Sequence, residues 1–222
     1  MRVGILGALN DSRVGREAMI IHNVPQNTPA WDLLRSGKPT ASKTSSLVTP
    51  KGKPSTGLGG YAKQLAKDTY AKKPVDQWKG NKHTNSGHKI EDEAAAAYAF
   101  ETGYDVQKVG FCTDDLERYG ASPDRFVNED GLLEVKGFPE LHLDVLLEFN
   151  NTKKCPAAQI PQTQMQMFIC EKAWCDVFYY SNDFPSLLVR VFPDPVFVRL
   201  LKMQLAACIA ERDKIVKIIN SF

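Results

Sequence analysis

Residues 120–136 read Gly120-Ala-Ser-Pro-Asp124-Arg-Phe-Val-Asn-Glu-Asp130-Gly-Leu-Leu-Glu134-Val-Lys136. Two apolar runs flank an Asn-Glu-Asp-Gly turn, so the stretch predicts an antiparallel hairpin. Side chains alternate across a strand, so Glu134 and Lys136 point one way and Leu133 and Val135 the other. A charged pair projecting from an otherwise apolar strand demands a purpose or solvent. The register decides where Asp124 falls. A two-residue loop, Asp130-Gly131, would put Asp124 on the face of Val135. A three-residue loop, Glu129-Asp130-Gly131, with glycine in the left-handed position, would set Asp124 opposite Lys136 on the Glu134 face. The second loop is the expectation. It creates a cluster of two carboxylates and a lysine. Divalent-metal phosphodiester chemistry uses that combination: carboxylates hold hard cations through oxygen, and a lysine orients water or offsets developing charge. The bare pattern of Asp followed by Glu-x-Lys recurs by chance about once in a chain this long, so its surroundings must support it.

Upstream, Pro29–Gly37 predicts a short helix, the Ser/Thr/Gly/Pro/Lys-rich residues 43–60 a mobile loop, and Tyr61–Lys72 an amphipathic helix. Ser86 is the expected N-cap of a helix over 87–102 that Gly103 stops. Three strand-like runs follow, Asp105–Phe111, Ser122–Val127 and Leu132–Phe138. After them come helices at 140–150 and Ala157–Lys172, then strands Asp176–Ser181 and Leu187–Phe192. Asp194-Pro195 supplies an N-cap and a first-turn proline for a final helix to about Asn220. This order predicts an α/β fold, with a central mixed sheet of about five strands flanked by helices. Gln162 and Gln166 share one helix face and Gln164 points elsewhere; on periodicity alone the three read as polar surface. Trp31 and the Met165, Met167, Phe168 group read as packing.

The 222 residues suit one core. Residues 1–18 are expected to form an N-terminal extension and 19–222 a single domain, with Met19 a candidate alternative start. The glycines at 4, 7 and 15 do not make a dinucleotide-binding fingerprint. No apolar run reaches membrane-spanning length, and the first residues lack a signal-peptide pattern, so a cytoplasmic protein is expected. Five cysteines without a C-x-x-C pair, and four scattered histidines, argue against a structural zinc site and for a reducing compartment. The net charge of +2 conceals an asymmetry. Between Lys38 and Lys89 lie eleven lysines and two aspartates, a charge of +9 that leaves −7 for the remainder. The basic block suits a polyanion and the acidic remainder can hold cations; a plain solvated lysine face is the alternative.

Four ordered blocks resemble the lambda exonuclease (YqaJ-like) family of phage recombination nucleases, a branch of the PD-(D/E)XK superfamily. They are Gln26-Asn-Thr-Pro-Ala-Trp31-Asp-Leu-Leu-Arg35-Ser-Gly-Lys-Pro-Thr40-Ala-Ser42, Gly87-His-Lys-Ile-Glu91-Asp-Glu-Ala94, Ser122-Pro-Asp124 through Glu134-Val-Lys136, and Gln162-Thr-Gln164. The resemblance implies a PD-(D/E)XK fold and a site built residue by residue. Asp124, Glu134 and the Val135 carbonyl would bind metal. Lys136 would be the catalytic lysine, Glu91 the helix carboxylate that completes the site and Gln162 the glutamine that borders it. Arg35, Ser42 and Ser122 would form a pocket for the 5′-phosphate of a DNA end. It further implies 5′-to-3′ digestion of one strand of linear duplex DNA to mononucleotides, leaving a 3′ overhang. Two Mg²⁺ ions would serve the reaction, with Mn²⁺ able to substitute. A single-strand annealing protein would be the partner and a homotrimeric ring the assembly, in a bacterial or prophage setting. Gly137-Phe138-Pro139 departs from the family's more usual Cys-Pro after the lysine. A structure- or sequence-specific endonuclease of the same superfamily, and a non-catalytic DNA-binding protein, remain the alternatives.

Overall fold

The computed structural model describes residues 19–75, 82–137 and 139–222, the side chains of 82–89 and 139–141 excepted. The expectations for residues 1–18 and for Lys79, Lys82 and Lys89 lie outside what is described. The elements, in order, are β1 (Ile20–His22), α1 (Pro29–Arg35), a 3-10 turn (Ala41–Ser46), α2 (Leu58–Ala71), α3 (Lys82–Thr102), β2 (Val106–Lys108), β3 (Phe111–Thr113), β4 (Gly120–Ala121), β5 (Arg125–Val127) and β6 (Gly131–Lys136). Then come α4 (Pro139–Thr152), a 3-10 turn (Ala157–Gln159), α5 (Ile160–Cys170), β7 (Trp174–Tyr179), β8 (Leu187–Val191) and α6 (Pro195–Ile219).

The expected five-stranded mixed sheet is present, in the order β2-β5-β6-β7-β8, with only the β6–β7 pair parallel. A second, three-stranded antiparallel sheet, β1-β3-β4, accompanies it. It arises because the chain passes between the two sheets at two places, within the expected strand 105–111 and between β4 and β5. The run 105–111 breaks at Val109-Gly110, where a Cβ on Gly110 would lie 2.3 Å from the His22 carbonyl oxygen. The expected strand 122–127 is a strand only over Arg125–Val127, and β4 ends before Pro123, which has no N–H to give a ladder. Both breaks are clasped by one side chain: Gln26 Nε2 donates to Val109 O and to Pro123 O, each at 2.9 Å.

Alternation along β6 separates two cores. Leu132 packs with Met165, Val177, Leu201 and Leu205 on the side of α5, α6 and α2. Leu133 packs with Ala94, Ala95, Tyr98 and Phe178 beneath α3. The alanines let α3 lie close to the sheet, and Tyr98 anchors it. Tyr98 Oη donates to Asp176 Oδ2 at 2.7 Å, and Arg190 donates through Nε and Nη2 to the two oxygens of the same carboxylate at 2.8 Å each. Asp176 is thus a buried charge whose lone pairs are met by three donors, the condition under which such a group is tolerated in a central strand.

Three local expectations need correction. Helix α3 begins at Lys82, so Ser86 lies inside it rather than capping it; Gly103, with φ of 71°, does end it. Residues 43–60 are not a mobile loop. Leu47 and Val48 are fully buried, and Thr49 N donates to Lys53 O and Ser55 N to Leu47 O, a tight turn that presents Lys51 and Lys53 at its tip. The hairpin loop has three residues, but they are Asn128-Glu129-Asp130, not Glu129-Asp130-Gly131, because Gly131 pairs with Val127. Gly131 also stands beside Trp174 on β7, where a Cβ would come within 2.2 Å of the indole. It therefore serves close approach, and Asn128 takes the left-handed conformation instead, with φ of 46°. Asn128 is held there by exchange with Asp105, whose N–H donates to Asn128 Oδ1 and whose carbonyl accepts from Asn128 N. The shift sets Asp124 opposite Glu134 rather than Lys136 and keeps both carboxylates on one face, since a two-residue step preserves the face.

Candidate active site

Glu134 is the centre of a compact polar cluster between β6 and α5. It is only 4% exposed. Lys136 Nζ donates to its Oε1 at 2.6 Å, Gln162 Nε2 donates to the same oxygen at 2.6 Å, and Gln166 Nε2 donates to Oε2 at 2.6 Å. Gln162 also accepts from Lys136 Nζ through Oε1 at 3.4 Å, so its amide is oriented by both neighbours. Lys136 would be discharged by burial, but Glu134 and Asp124 beside it outweigh that effect and raise its pKa. It remains an ammonium.

Asp124 Oδ2 accepts from the backbone N–H of Val135 at 2.6 Å, which fixes it across the hairpin from Glu134. Burial, then repulsion from Glu134 and Glu91, hold its carboxyl well above the usual carboxylate range, with Lys136 and the Val135 bond only partly opposing. Negative charge is therefore in local excess over positive. The donors that face this excess are hard oxygens: the Asp124 and Glu134 carboxylates, with the Val135 carbonyl adjacent in sequence. That set fits a divalent cation such as Mg²⁺. Among the described residues no three His, Cys, Asp or Glu side chains already converge in ligand geometry; both oxygens of Glu134 and Oε1 of Glu91 accept from protein donors.

Glu91 lies on the α3 stripe shared with Ala94, Ala95 and Tyr98, on the other side of β6 from Gln162. It accepts from Arg125 Nη1 at 2.7 Å, and Arg125 Nη2 reaches Asp92. Sequence reasoning missed Arg125. Its signal was present: next to Asp124 in a strand, it must point to the opposite face, into the core beneath α3, and a buried arginine requires a carboxylate. Gln166 was missed as well, although it lies one turn beyond Gln162. Gln164 departs from both as expected: its Nε2 donates to Phe192 O at 2.8 Å, and its Oε1 accepts from Asp194 N at 2.7 Å, tying α5 to the start of α6. Gln164 and Gln166 are buried, so the helix is not the polar surface that periodicity suggested. Gly137 accounts for the departure after the lysine, because a side chain there would meet Ile90 Cγ2 at 2.4 Å.

Arg35, Ser42 and Ser122 form a second cluster, joined by Trp31. The Arg35 guanidinium lies 3.7 Å over the Trp31 ring, Trp31 Nε1 donates to Ser122 Oγ at 2.9 Å, and Arg35 Nη2 reaches Ser42 Oγ at 3.4 Å. Thr40 Oγ1 lies 3.4 Å from Ser42 Oγ. Burial lowers the pKa of Arg35 against the opposing influence of Tyr61 and Asp32, and its buried Nε has no hydrogen-bond partner among the described residues. A stacked guanidinium with unused donors beside two hydroxyls suits an anion with several oxygens. Trp31 thus packs, as expected, but it also positions the cluster. Ser122 is separated from Asp124 by Pro123 alone, which Gln26 clamps, so the two clusters are rigidly joined. Lys43, Lys51, Lys53, Lys63, Lys67, Lys72 and Lys73 are all exposed, whereas Lys38 is half-buried and donates to Leu34 O, so the described part of the basic block from Lys43 onward faces solvent. No described helix is long and apolar enough to cross a membrane.

Comparison with known proteins accords with this arrangement. Residues 30–173 match the YqaJ-like viral recombinase domain. The crystal structure of the alkaline exonuclease LHK-Exo from Laribacter hongkongensis is similar with a TM-score of 0.75 and 26% identity, covering 87% of this chain and 97% of that one. The complex of LHK-Exo with dAMP gives 0.74 and 27% at the same coverage. A phage-related exonuclease from Haemophilus somnus 129PT, 14% identical over 82% of this chain and 96% of that one with a TM-score of 0.63, shares the fold. No curated protein sequence matches.

Proposed function

This chain belongs to the YqaJ-like viral recombinase domain family, and on that basis we propose that it is a Mg²⁺-dependent exodeoxyribonuclease. It would degrade one strand of linear duplex DNA in the 5′-to-3′ direction to mononucleotides. The observation that carries the reading is the opposition of Asp124 and Glu134 across the hairpin, with Lys136 on the same face and Gln162 closing it from α5. The likeness to an alkaline exonuclease supports nuclease chemistry, and that enzyme's complex with dAMP is a complex with a mononucleotide.

Asp124, Glu134 and the Val135 carbonyl would hold the cation. When bound, Mg²⁺ polarises a phosphodiester and lowers the pKa of a coordinated water. Lys136, kept cationic by Glu134 and Asp124, would orient the attacking water or offset charge on the phosphorane. Gln162 limits Lys136 to one position. Glu91, paired with Arg125, would complete the acidic wall from the α3 side, its charge bearing on Asp124. Arg35, Ser42 and Ser122, with Trp31 beneath them, would hold the terminal 5′-phosphate. Asp124 follows Ser122 by two residues, at most about 7 Å along the backbone, so a held terminal phosphate sets which linkage meets the carboxylates. That link would give polarity. The exposed lysines of 43–73 would grip the backbone of the duplex without reading sequence, so binding weakens with salt. A homotrimeric ring and a single-strand annealing partner belong to the same reading.

The test is a time course on linear 5′-phosphorylated duplex and on closed circular duplex, with Mg²⁺ and with chelator. Mononucleotide release from the linear substrate alone, and only with Mg²⁺, is expected. Cleavage of the circle would favour an endonuclease.

A further inference from the structure

Arg125 opens β5 on the face turned away from Asp124 and lies beneath α3, only 4% exposed. Its guanidinium is held on three sides. Nη1 donates to Glu91 Oε1 at 2.7 Å and to the Asp124 carbonyl, and Nη2 donates to Asp92. One nitrogen therefore bridges the Glu91 carboxylate and the main chain of the proposed metal ligand. The two carboxylate partners are not equivalent. The Asp92 side chain is 64% exposed and shares itself with Lys108, whereas that of Glu91 is 22% exposed. Glu91 is the less screened of the two, so the buried guanidinium depends chiefly on it.

Two attractions compete for Glu91. A divalent cation at Asp124 and Glu134 would draw its carboxylate in, but turning away would strand a buried guanidinium, which is costly. Arg125 is not free to follow, because the Asp124 carbonyl and Asp92 anchor it as well. The geometry points to Arg125 as a positioning residue that withholds Glu91 from the coordination shell. Glu91 then acts on the cation through its charge, and the protein's ligands are Asp124, Glu134 and the Val135 carbonyl. This inference rests on the proposed role of Asp124 as a metal ligand.

The experiment is calorimetric titration of the DNA-free protein with Mg²⁺, accompanied by thermal melts. The variants are Arg125→Met, Glu91→Gln, the two combined, and Asp124→Asn. Arg125→Met removes a positive charge and releases Glu91 to become a ligand. Mg²⁺ should then bind about a hundredfold more tightly, about tenfold from charge and about tenfold from ligation. Glu91→Gln should weaken Mg²⁺ binding about tenfold with Arg125 present, through charge, and about a hundredfold in the Arg125→Met background. That tenfold coupling between the two positions is what the restraint predicts. An equal factor in both backgrounds would leave only additive charge effects and overturns the inference. A lower melting temperature for Arg125→Met with no gain in affinity, the mark of a merely structural role, overturns it too. One comparison leaves the buried arginine in place: if Glu91→Gln loses Mg²⁺ as completely as Asp124→Asn, Glu91 is already a ligand and the inference fails. Undiminished Mg²⁺ binding by Asp124→Asn would instead overturn the ligand role of Asp124 itself, and the inference with it.

Discussion

Trp31 offers the sharpest test of how the phosphate pocket is built, because one side chain serves two of its members by separable means. Its indole N–H donates to Ser122 at 2.9 Å, and its ring lies 3.7 Å under the Arg35 guanidinium. Trp31→Phe removes the hydrogen bond and keeps an aromatic face; Trp31→Leu removes both. A neutral hydrogen bond of this kind is worth about 1 kcal/mol, and a cation–π contact at a half-buried site about 1 kcal/mol more. If these energies are expressed in holding the terminal phosphate, discrimination between 5′-phosphorylated and 5′-hydroxyl ends falls about 5-fold in Trp31→Phe and about 30-fold in Trp31→Leu. Arg35→Ala, which removes the charge itself, should lose more than either. The assay is kcat/KM on paired duplexes that differ only in the terminal phosphate, with melting curves to establish that each variant is folded. Equal discrimination by wild type, Trp31→Phe and Trp31→Leu would refute the reasoning, since Arg35 and Ser122 would then hold their places without the indole.

Asp124→Ala and Lys136→Ala should each abolish cleavage while duplex binding, measured by fluorescence anisotropy, persists; retained nuclease activity in either contradicts the site. Replacing Lys51 and Lys53 together with alanine should reduce the slope of log K against log salt by about 2 if both contact phosphates, and an unchanged slope places DNA elsewhere. Tyr98→Phe removes a buried donor from Asp176 and should lower the unfolding free energy by about 1–2 kcal/mol at neutral pH. Burial and Asp176 raise the Tyr98 pKa in the folded state, so this stabilisation is intact below the unfolded tyrosine value of about 10 and is lost as pH climbs beyond it; denaturant melts should therefore find the gap between wild type and Tyr98→Phe narrowing above about pH 10. Gly131→Ala forces a methyl against the Trp174 indole and should destabilise by about 1–3 kcal/mol, visible as a lower melting temperature.

Much of the site was legible because it depends on short-range rules. Alternation in β6 correctly assigned Glu134 and Lys136 to one face and Leu133 and Val135 to the other. The cap of α6 followed from Asp194-Pro195, and Asp194 Oδ1 does accept from Val196 N and Phe197 N. The turn of residues 49–52 was misread because its composition resembles a loose loop, whereas Leu47 and Val48 anchor it in the core. The strand at 105–111 was drawn too long because nothing in its own residues reveals that Gln26 pins it at Val109, whereas the excess at the start of 122–127 was legible in Pro123, which cannot give a ladder hydrogen bond.

What the sequence by itself determined was the cast and its facing: two carboxylates and a lysine on one face of a hairpin, a glutamine pair one turn apart on a helix, and a basic block separate from an acidic remainder. Period-2 and period-3.6 geometry and helix caps act over a few residues, so they can be read from the chain. Only the tertiary structure decided the hairpin register, because Trp174 on the neighbouring strand denies Gly131 to the turn and shifts the loop by one residue. It alone decided that Gln166 reaches Glu134, that Arg125 pairs with Glu91, and that Trp31 joins Arg35 to Ser122. Those bonds link residues 32, 34 and 91 positions apart. Their partners are chosen by which buried polar groups meet once the sheet and helices pack, and burial makes each such group need a partner that its own neighbourhood in the chain does not supply.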